Sequence, residues 1–155
     1  MELVFAPKGI LQIDNARIIH RNFAGVKSQY NREGARNFSL VIPDEEIANA
    51  LIEDGWNVKI REAKQEGETP LMYLPVKLSF NDWGPDIYLK SGEAVNKLKE
   101  EDVGELDKID ILSVDMDIRP YDWEVNGKSG RTAYVHSLHV EQRINRFAAR
   151  YAGRE

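Results

Sequence analysis

Residues 109–140 read IDILSVDMDIRPYDWEVNGKSGRTAYVHSLHV and place Arg119, Tyr121, Trp123, Lys128 and Arg131 close to one turn, Asn126-Gly127-Lys128-Ser129-Gly130. Aromatic faces stack on nucleobases and cations meet phosphates, so this set suits nucleic acid better than covalent chemistry. Residues 21–34 offer a second set, Arg21, Phe23, Lys27, Tyr30 and Arg32, with Arg36 just beyond. Gly25 and Gly34 in that loop let backbone approach a ligand. Phe38 alternates with Leu40 and Ile42, so its expected place is the core.

Other constellations were weighed for catalysis. Asp115 and Asp117 share one face of a strand, with Asp110 nearby, and paired carboxylates can hold the Mg²⁺ ions of a nuclease. The expected pairing puts Asp117 opposite His139 with Arg119 beside it, a polar face that needs no metal. No third acid or lysine falls at nuclease spacing. His136 and His139 point to opposite faces of a strand, and His20 is remote, so no metal site is expected. The chain has no cysteine, which excludes thiolate chemistry and Cys-ligated zinc. It also lacks a phosphate-binding loop, a dinucleotide fingerprint and a nucleophile elbow. The expectation is a protein with no catalytic residues and no cofactor.

The elements that position these side chains follow from periodicity. In the stretch 109–140, Leu112, Val114, Met116 and Ile118 form one face of a first strand. Closure at the glycines sets Ile118 opposite Leu138 and Met116 opposite Val140. Tyr121, Trp123, Arg119, Val125 and Ala133 then share the non-core face, and Pro120 marks a strand edge. Upstream, residues 10–20 form a strand with a bulge near Asn15, and residues 36–42 form a second. Pro43-Asp44-Glu45-Glu46 opens a short helix with Ile47, Ala50 and Leu51 buried and Gly55 as its cap.

Residues 56–61 predict a strand with Trp56, Val58 and Ile60 inward and Asn57, Lys59 and Arg61 outward. Residues 74–80 predict another, in which Lys77 alternates with Val76 and Leu78. Residues 81–85 are a turn, in which Trp83 is either a surface ring or part of a local cluster, and residues 86–90 are a short strand. Residues 93–108 are expected as a short helix and loop, and residues 141–155 as a basic helix with Ile144, Phe147, Ala148 and Tyr151 on one side.

At 155 residues this is one domain, with a core over about residues 10–140. No linker or repeat divides it. The fold class is mainly β: an OB-fold-like five-stranded Greek-key barrel with an internal short helix, a protruding hairpin and a C-terminal helix. The formal net charge is −5, yet residues 17–36 hold Arg17, Arg21, Lys27, Arg32 and Arg36 against Glu33 alone. Residues 93–110 hold seven acids against three lysines. A local basic surface on an acidic protein is directional in a way bulk charge is not. No apolar run reaches membrane-spanning length and no signal-peptide layout opens the chain, so a cytoplasmic protein without membrane partners is expected.

Several segments together resemble the OB-fold single-stranded-DNA-binding proteins of tailed bacteriophages. They are Gly34-Ala-Arg36-Asn37-Phe38, Gly55-Trp56-Asn57-Val58-Lys59, Leu74-Pro75-Val76-Lys77 and Ile118-Arg119-Pro120-Tyr121-Asp122-Trp123, followed by Gly127, Gly130, Ala133 and Tyr134. The resemblance implies sequence-tolerant binding of single strands in phage replication or recombination, within the host cytoplasm. Arg36 and Asn37 would look onto the strand path, and Tyr121 and Trp123 would lie in an arm closing over it. Such proteins commonly end in an acidic tail, whereas this chain ends in VEQRINRFAARYAGRE, so that route to partners is in doubt.

The expected partner is single-stranded DNA, with RNA, a second copy and replication or recombination proteins as further partners. The alternative is a protein-interaction module, a phage factor that binds a host protein through the same hairpin rings. A metal-dependent nuclease stands behind both.

Overall fold

The computed structural model describes residues 1–144. Ten strands are present among them: β1 (Glu2–Phe5), β2 (Leu11–Ala16), β3 (Ile18–Asn22), β4 (Arg36–Val41), β5 (Lys59–Arg61), β6 (Leu71–Leu78), β7 (Asp86–Ser91), β8 (Ala94–Leu98), β9 (Ile111–Val125) and β10 (Lys128–Gln142). One α-helix, α1 (Glu45–Glu53), lies between β4 and β5, and a short 3-10 helix, Val103–Asp107, precedes β9. No helix among the described residues is long and apolar enough to cross a membrane.

The strands run β1-β2-β9-β10-β6-β4-β3, with β5 added on β6, β7 on β10 and β8 on β7. Only Arg17 separates β2 from β3, so one curved segment pairs with β9 through its first half and with β4 through its second. The sheet therefore bends around one apolar core that includes Leu11, Ile13, Phe38, Leu40, Val76, Ile118 and Leu138. This is a mainly β, OB-like architecture, with more strands than the five expected. The expected bulge is present: Asn15 has φ 54° and the β2–β9 register shifts between Ile13 and Ala16. The amide of Asn15 donates to Asp115 Oδ1 at 2.8 Å.

Helix α1 forms where its end signals place it. The Asp44 carboxylate accepts from the Ile47 amide at 2.9 Å, an N-cap bond. At the other end Gly55 takes φ 104°, its amide donates to Ile52 O, and the Trp56 amide donates to Leu51 O. Those two bonds reverse the chain and drop Trp56 into the core. The buried side chains of α1 are Ala48 and Leu51, so Ala48 takes the place expected for Ala50.

Several expectations need correction. Residues 56–58 are not strand, and Ile60, expected inward, is 52% exposed on the edge strand β5. Residues 94–98, expected as helix or loop, are strand β8, which pairs with β7 from Ser91↔Ala94 to Ile87↔Leu98. Pairing with β7 supplies the ladder bonds that the segment's exposed side chains could not reveal.

The hairpin turns at Asn126 and Gly127 alone, with φ 53° and 78°, the backbone that an Asn-Gly two-residue turn requires. Its register is Ile118↔Val135, Met116↔Leu138 and Val114↔Val140, not the expected Ile118–Leu138 and Met116–Val140. The cause is the turn itself, which closes at Asn126-Gly127 and pairs Val125 with Lys128; a bulge between Val135 and Ser137, which leaves His136 unpaired, then moves the pairing one residue along β10. Leu112, expected on the apolar face, lies at a second shift near Gln142 and is exposed. Ala133 pairs with Pro120 and is buried, so it belongs to the core side rather than beside Tyr121. The predicted C-terminal helix begins within β10, which extends to Gln142, and its residues 145–155 lie outside the described residues.

Candidate nucleic-acid interface

Cross-strand register aligns one row of side chains over the sheet. Arg119 of β9 pairs with Tyr134 of β10, Tyr134 with Lys77 of β6, Lys77 with Asn37 of β4, and Asn37 with Asn22 of β3. Each alternates with a buried neighbour such as Ile118, Val135, Val76 or Phe38, so the row lies on the face away from the core. The Arg119 guanidinium sits 4.9 Å over the Tyr134 ring, and Tyr121 meets that ring edge-on at 6.2 Å. These contacts hold the two rings and the cation as a unit, each worth about 0.5–1.5 kcal/mol.

Toward the arm the face continues with Tyr121↔Thr132 and Trp123↔Gly130. Glycine at 130 is required by packing, because a Cβ there would stand 2.5 Å from the Trp123 ring. The indole thus lies across bare backbone and stays partly exposed. Below it opens a groove of about 400 Å³ lined by Trp56, Asn57, Lys77, Trp123, Gly130 and Thr132, among others. On β6 the face adds Pro75 and Tyr73, and the Tyr73 ring meets His20 edge-on at 5.5 Å. Lys59 pairs with Tyr73 and Arg61 with Leu71, which extends the cations to β5.

Arg131 does something else. Its Nε donates to Asp122 Oδ1 at 2.6 Å, its Nη1 donates to the Asp54 carbonyl at 2.6 Å, and its guanidinium lies 5.1 Å over Trp56. It ties the arm to the C-terminal end of α1. The hydrogen bond from Arg131 holds the Asp122 carboxyl below its ordinary range, and the same bond raises Arg131. Lys128, at the hairpin turn, is exposed.

The other expected set, residues 21–34, is mostly turned inward. Phe23 is wholly buried and stacks on Phe38 with centroids 5.3 Å apart, so its ring is not available to a base. The Arg21 guanidinium donates to Leu106 O at 2.7 Å and Ile109 O at 2.9 Å. Arg36 donates to Phe23 O at 2.6 Å and lies 3.9 Å from Glu100. Asp107 accepts from the amides of Phe23 and Ala24, which pins the same turn from the other side. Asn37 donates to Asn31 Oδ1 and Ala35 O, leaving only its oxygen free. Lys27, Tyr30 and Arg32 remain exposed at the loop tip, with Tyr30 at 91%.

The structure therefore brings Asn37, Lys77, Arg119, Tyr121 and Trp123 onto one face, continues it to Lys59 and Arg61, and withdraws Arg21, Phe23, Arg36 and Arg131 into structural roles. Tyr73 and Tyr134 belong to that face and were not singled out as binding residues from sequence. Their signal was alternation, since each stands between two buried residues. The expected Asp117–His139 pair is also corrected: His139 faces Asp115, and Asp117 faces Ser137.

With this geometry established, comparison places the fold. The family described as "Putative phage ssDNA-binding domain" matches residues 2–154, and the chain belongs to that family. No curated protein matches it. Among solved structures, the single-stranded DNA-binding protein of bacteriophage Enc34 in a C-terminally truncated form is similar at TM-score 0.57 and 15% identity, over 94% of this chain and 97% of that one. The same phage protein in complex with single-stranded DNA is similar at TM-score 0.58 and 13% identity, over 92% of each chain. At such identities the likeness is one of fold.

Proposed function

We propose that this protein binds single-stranded DNA without reading its sequence and performs no catalysis. Bases stack on Tyr121, Trp123 and Tyr134. Phosphates meet Lys59, Arg61, Lys77, Arg119 and Lys128, and Lys27, Tyr30 and Arg32 reach the strand from the loop joining β3 to β4. In this reading β2 with β3, β4, β6, β9 and β10 are the five strands of a Greek-key barrel. The strand crosses its face between that loop and the arm, the two loops and face that OB-folds use for oligonucleotides. The work served is replication or recombination of a phage genome in the host cytoplasm.

The observation that carries the reading is the row Arg119–Tyr134–Lys77–Asn37 with Tyr121 and Trp123 beyond it. None of these residues is acidic, although the chain as a whole carries a net charge of −5. Rings without base-specific hydrogen-bond donors stack on any base, so affinity is sequence-tolerant. Cations on phosphates release counterions, so affinity falls as salt rises.

Titration with oligo(dT) while following tryptophan emission, repeated across a salt series, tests this. Quenching and a negative slope of log K against log salt are expected. No quenching at low salt, or an affinity indifferent to salt, overturns the reading. The same titration with oligo(U) measures the DNA preference.

A further inference from the structure

Strands β6 and β7 lie end to end along the same side of β10, at Ala133↔Val76 and Tyr134↔Lys77 and then from Ser137↔Asp86 onward. Between them residues 79–85 leave the sheet, opposite the unpaired His136. The excursion closes on itself at Asn81 and Gly84, each of whose amides donates to the other's carbonyl. The Asn81 side chain also accepts from the Trp83 amide at 2.8 Å. This ordered tip presents Trp83 at 93% exposure, a costly position for an indole with no partner.

Beside it, between the excursion and the end of β8, lies a cleft of about 620 Å³, lined by Phe80, Trp83, Pro85, Asp86, Lys97 and Lys99 among others. That is within the range of small-molecule sites and ample for one nucleotide. Its charges balance, Lys97 and Lys99 against Asp82 and Asp86, with Lys97 paired to Asp86 at 3.0 Å. The cleft thus offers an aromatic face and apolar walls rather than an excess of cations. Lys77 of the aligned row stands two residues before the excursion starts.

We infer that Trp83 and its cleft are a nucleobase site that takes one base of the same strand after it has passed Lys77. The inference rests on the single-strand reading and adds a stacking position at the end of the sheet remote from the arm. A base, not a phosphate, is the occupant that a charge-balanced aromatic cleft favours.

Binding of Trp83→Ala, Trp83→Phe and the wild type to an oligo(dT) ladder of about 4–16 nucleotides, the range of OB-fold site sizes, tests it. The side chain is solvated, so truncation leaves the fold intact, and thermal unfolding checks that. For oligonucleotides long enough to reach from the arm to the cleft, Trp83→Ala should lose about tenfold in affinity, and Trp83→Phe should recover most of it. The shortest ones that still bind should be unaffected, and the salt slope should be unchanged because no phosphate contact is lost.

Equal affinity of Trp83→Ala and the wild type at every length overturns the inference and leaves a protein partner as the occupant of the cleft. A loss that is the same at all lengths overturns it too, since Trp83 would then lie within the minimal site. Failure of the wild type to bind any oligonucleotide overturns the parent reading instead.

Discussion

Around the loop joining β3 to β4, Arg21 of β3, Arg36 of β4 and Phe23 between them turn inward; in the β9–β10 arm, an arginine, a tyrosine and a tryptophan face out. Both segments carry rings, cations and glycines in similar proportion. What separates them is the supply of acceptors nearby. The loop passes the 3-10 helix Val103–Asp107, whose free carbonyls and carboxylate absorb Arg21 and the loop's own amides. The ladder bonds of the arm are met within the hairpin, so its side chains, Arg131 apart, find one another and solvent. Cations and rings mark a binding surface only where the surrounding backbone has no use for them.

That contrast breaks most readily at Phe23. Phe23→Ala should cost about 3–5 kcal/mol of stability, the usual range for emptying a buried aromatic site. Chemical denaturation reads the loss, and affinity per folded molecule should be unchanged. Trp123→Ala should do the reverse. It should weaken oligonucleotide binding by about 1–3 kcal/mol, the worth of one stacked base, with little effect on the denaturation midpoint. Were both variants to lose affinity and stability together, the division between loop and arm would be wrong.

Finer effects sharpen the same line. Lys77→Ala should reduce the slope of log K against log salt by about 0.7, one phosphate on a single strand. Arg36→Ala, by contrast, should leave the slope in place, because Arg36 is spent on Phe23 O. The smallest effect concerns the tie at the arm's base. The folded-state pKa of Asp122 is lowered by the bond from Arg131. Its contribution is therefore complete above the ordinary carboxylate range and is lost as pH falls through the lowered value. An NMR titration of Asp122 should show the depressed midpoint in the wild type and an ordinary one in Arg131→Ala.

Much of this fold was legible from sequence where local chemistry decides it. Asp44 and Gly55 bracket α1, the glycines after Val125 announce a hairpin, and the odd spacing around Asn15 announces a bulge. Strand β8 was not legible, because Val95 and Lys97 face solvent and the segment is held by β7 alone. The hairpin register failed because the turn, expected over residues 126–130, closes at Asn126-Gly127, and the extra residue at His136 then shifts the pairing by one, which nothing in the alternation of Tyr134-Val135-His136-Ser137 betrays. For the site, residue types pointed to the arm, where Tyr121 and Trp123 face outward, but which arginines were free depended on carbonyls elsewhere in the chain, such as Leu106 and Ile109 for Arg21. No local pattern carries that information.

The unpaired His136 has a consequence beyond register. Side chains alternate along a strand, so one inserted residue exchanges inside for outside from that point on. On β10 the insertion keeps Leu138 and Val140 in the core while Tyr134 and Thr132 face out. Were His136 to take a regular place in the ladder, strict alternation counted back from Leu138 would turn Tyr134 toward the core and send Ala133 and Val135 to the surface, whereas the bulge leaves both faces in phase. The bulge at a single unpaired residue therefore acts as a phase setter: it decides which side chains of a fifteen-residue strand face outward.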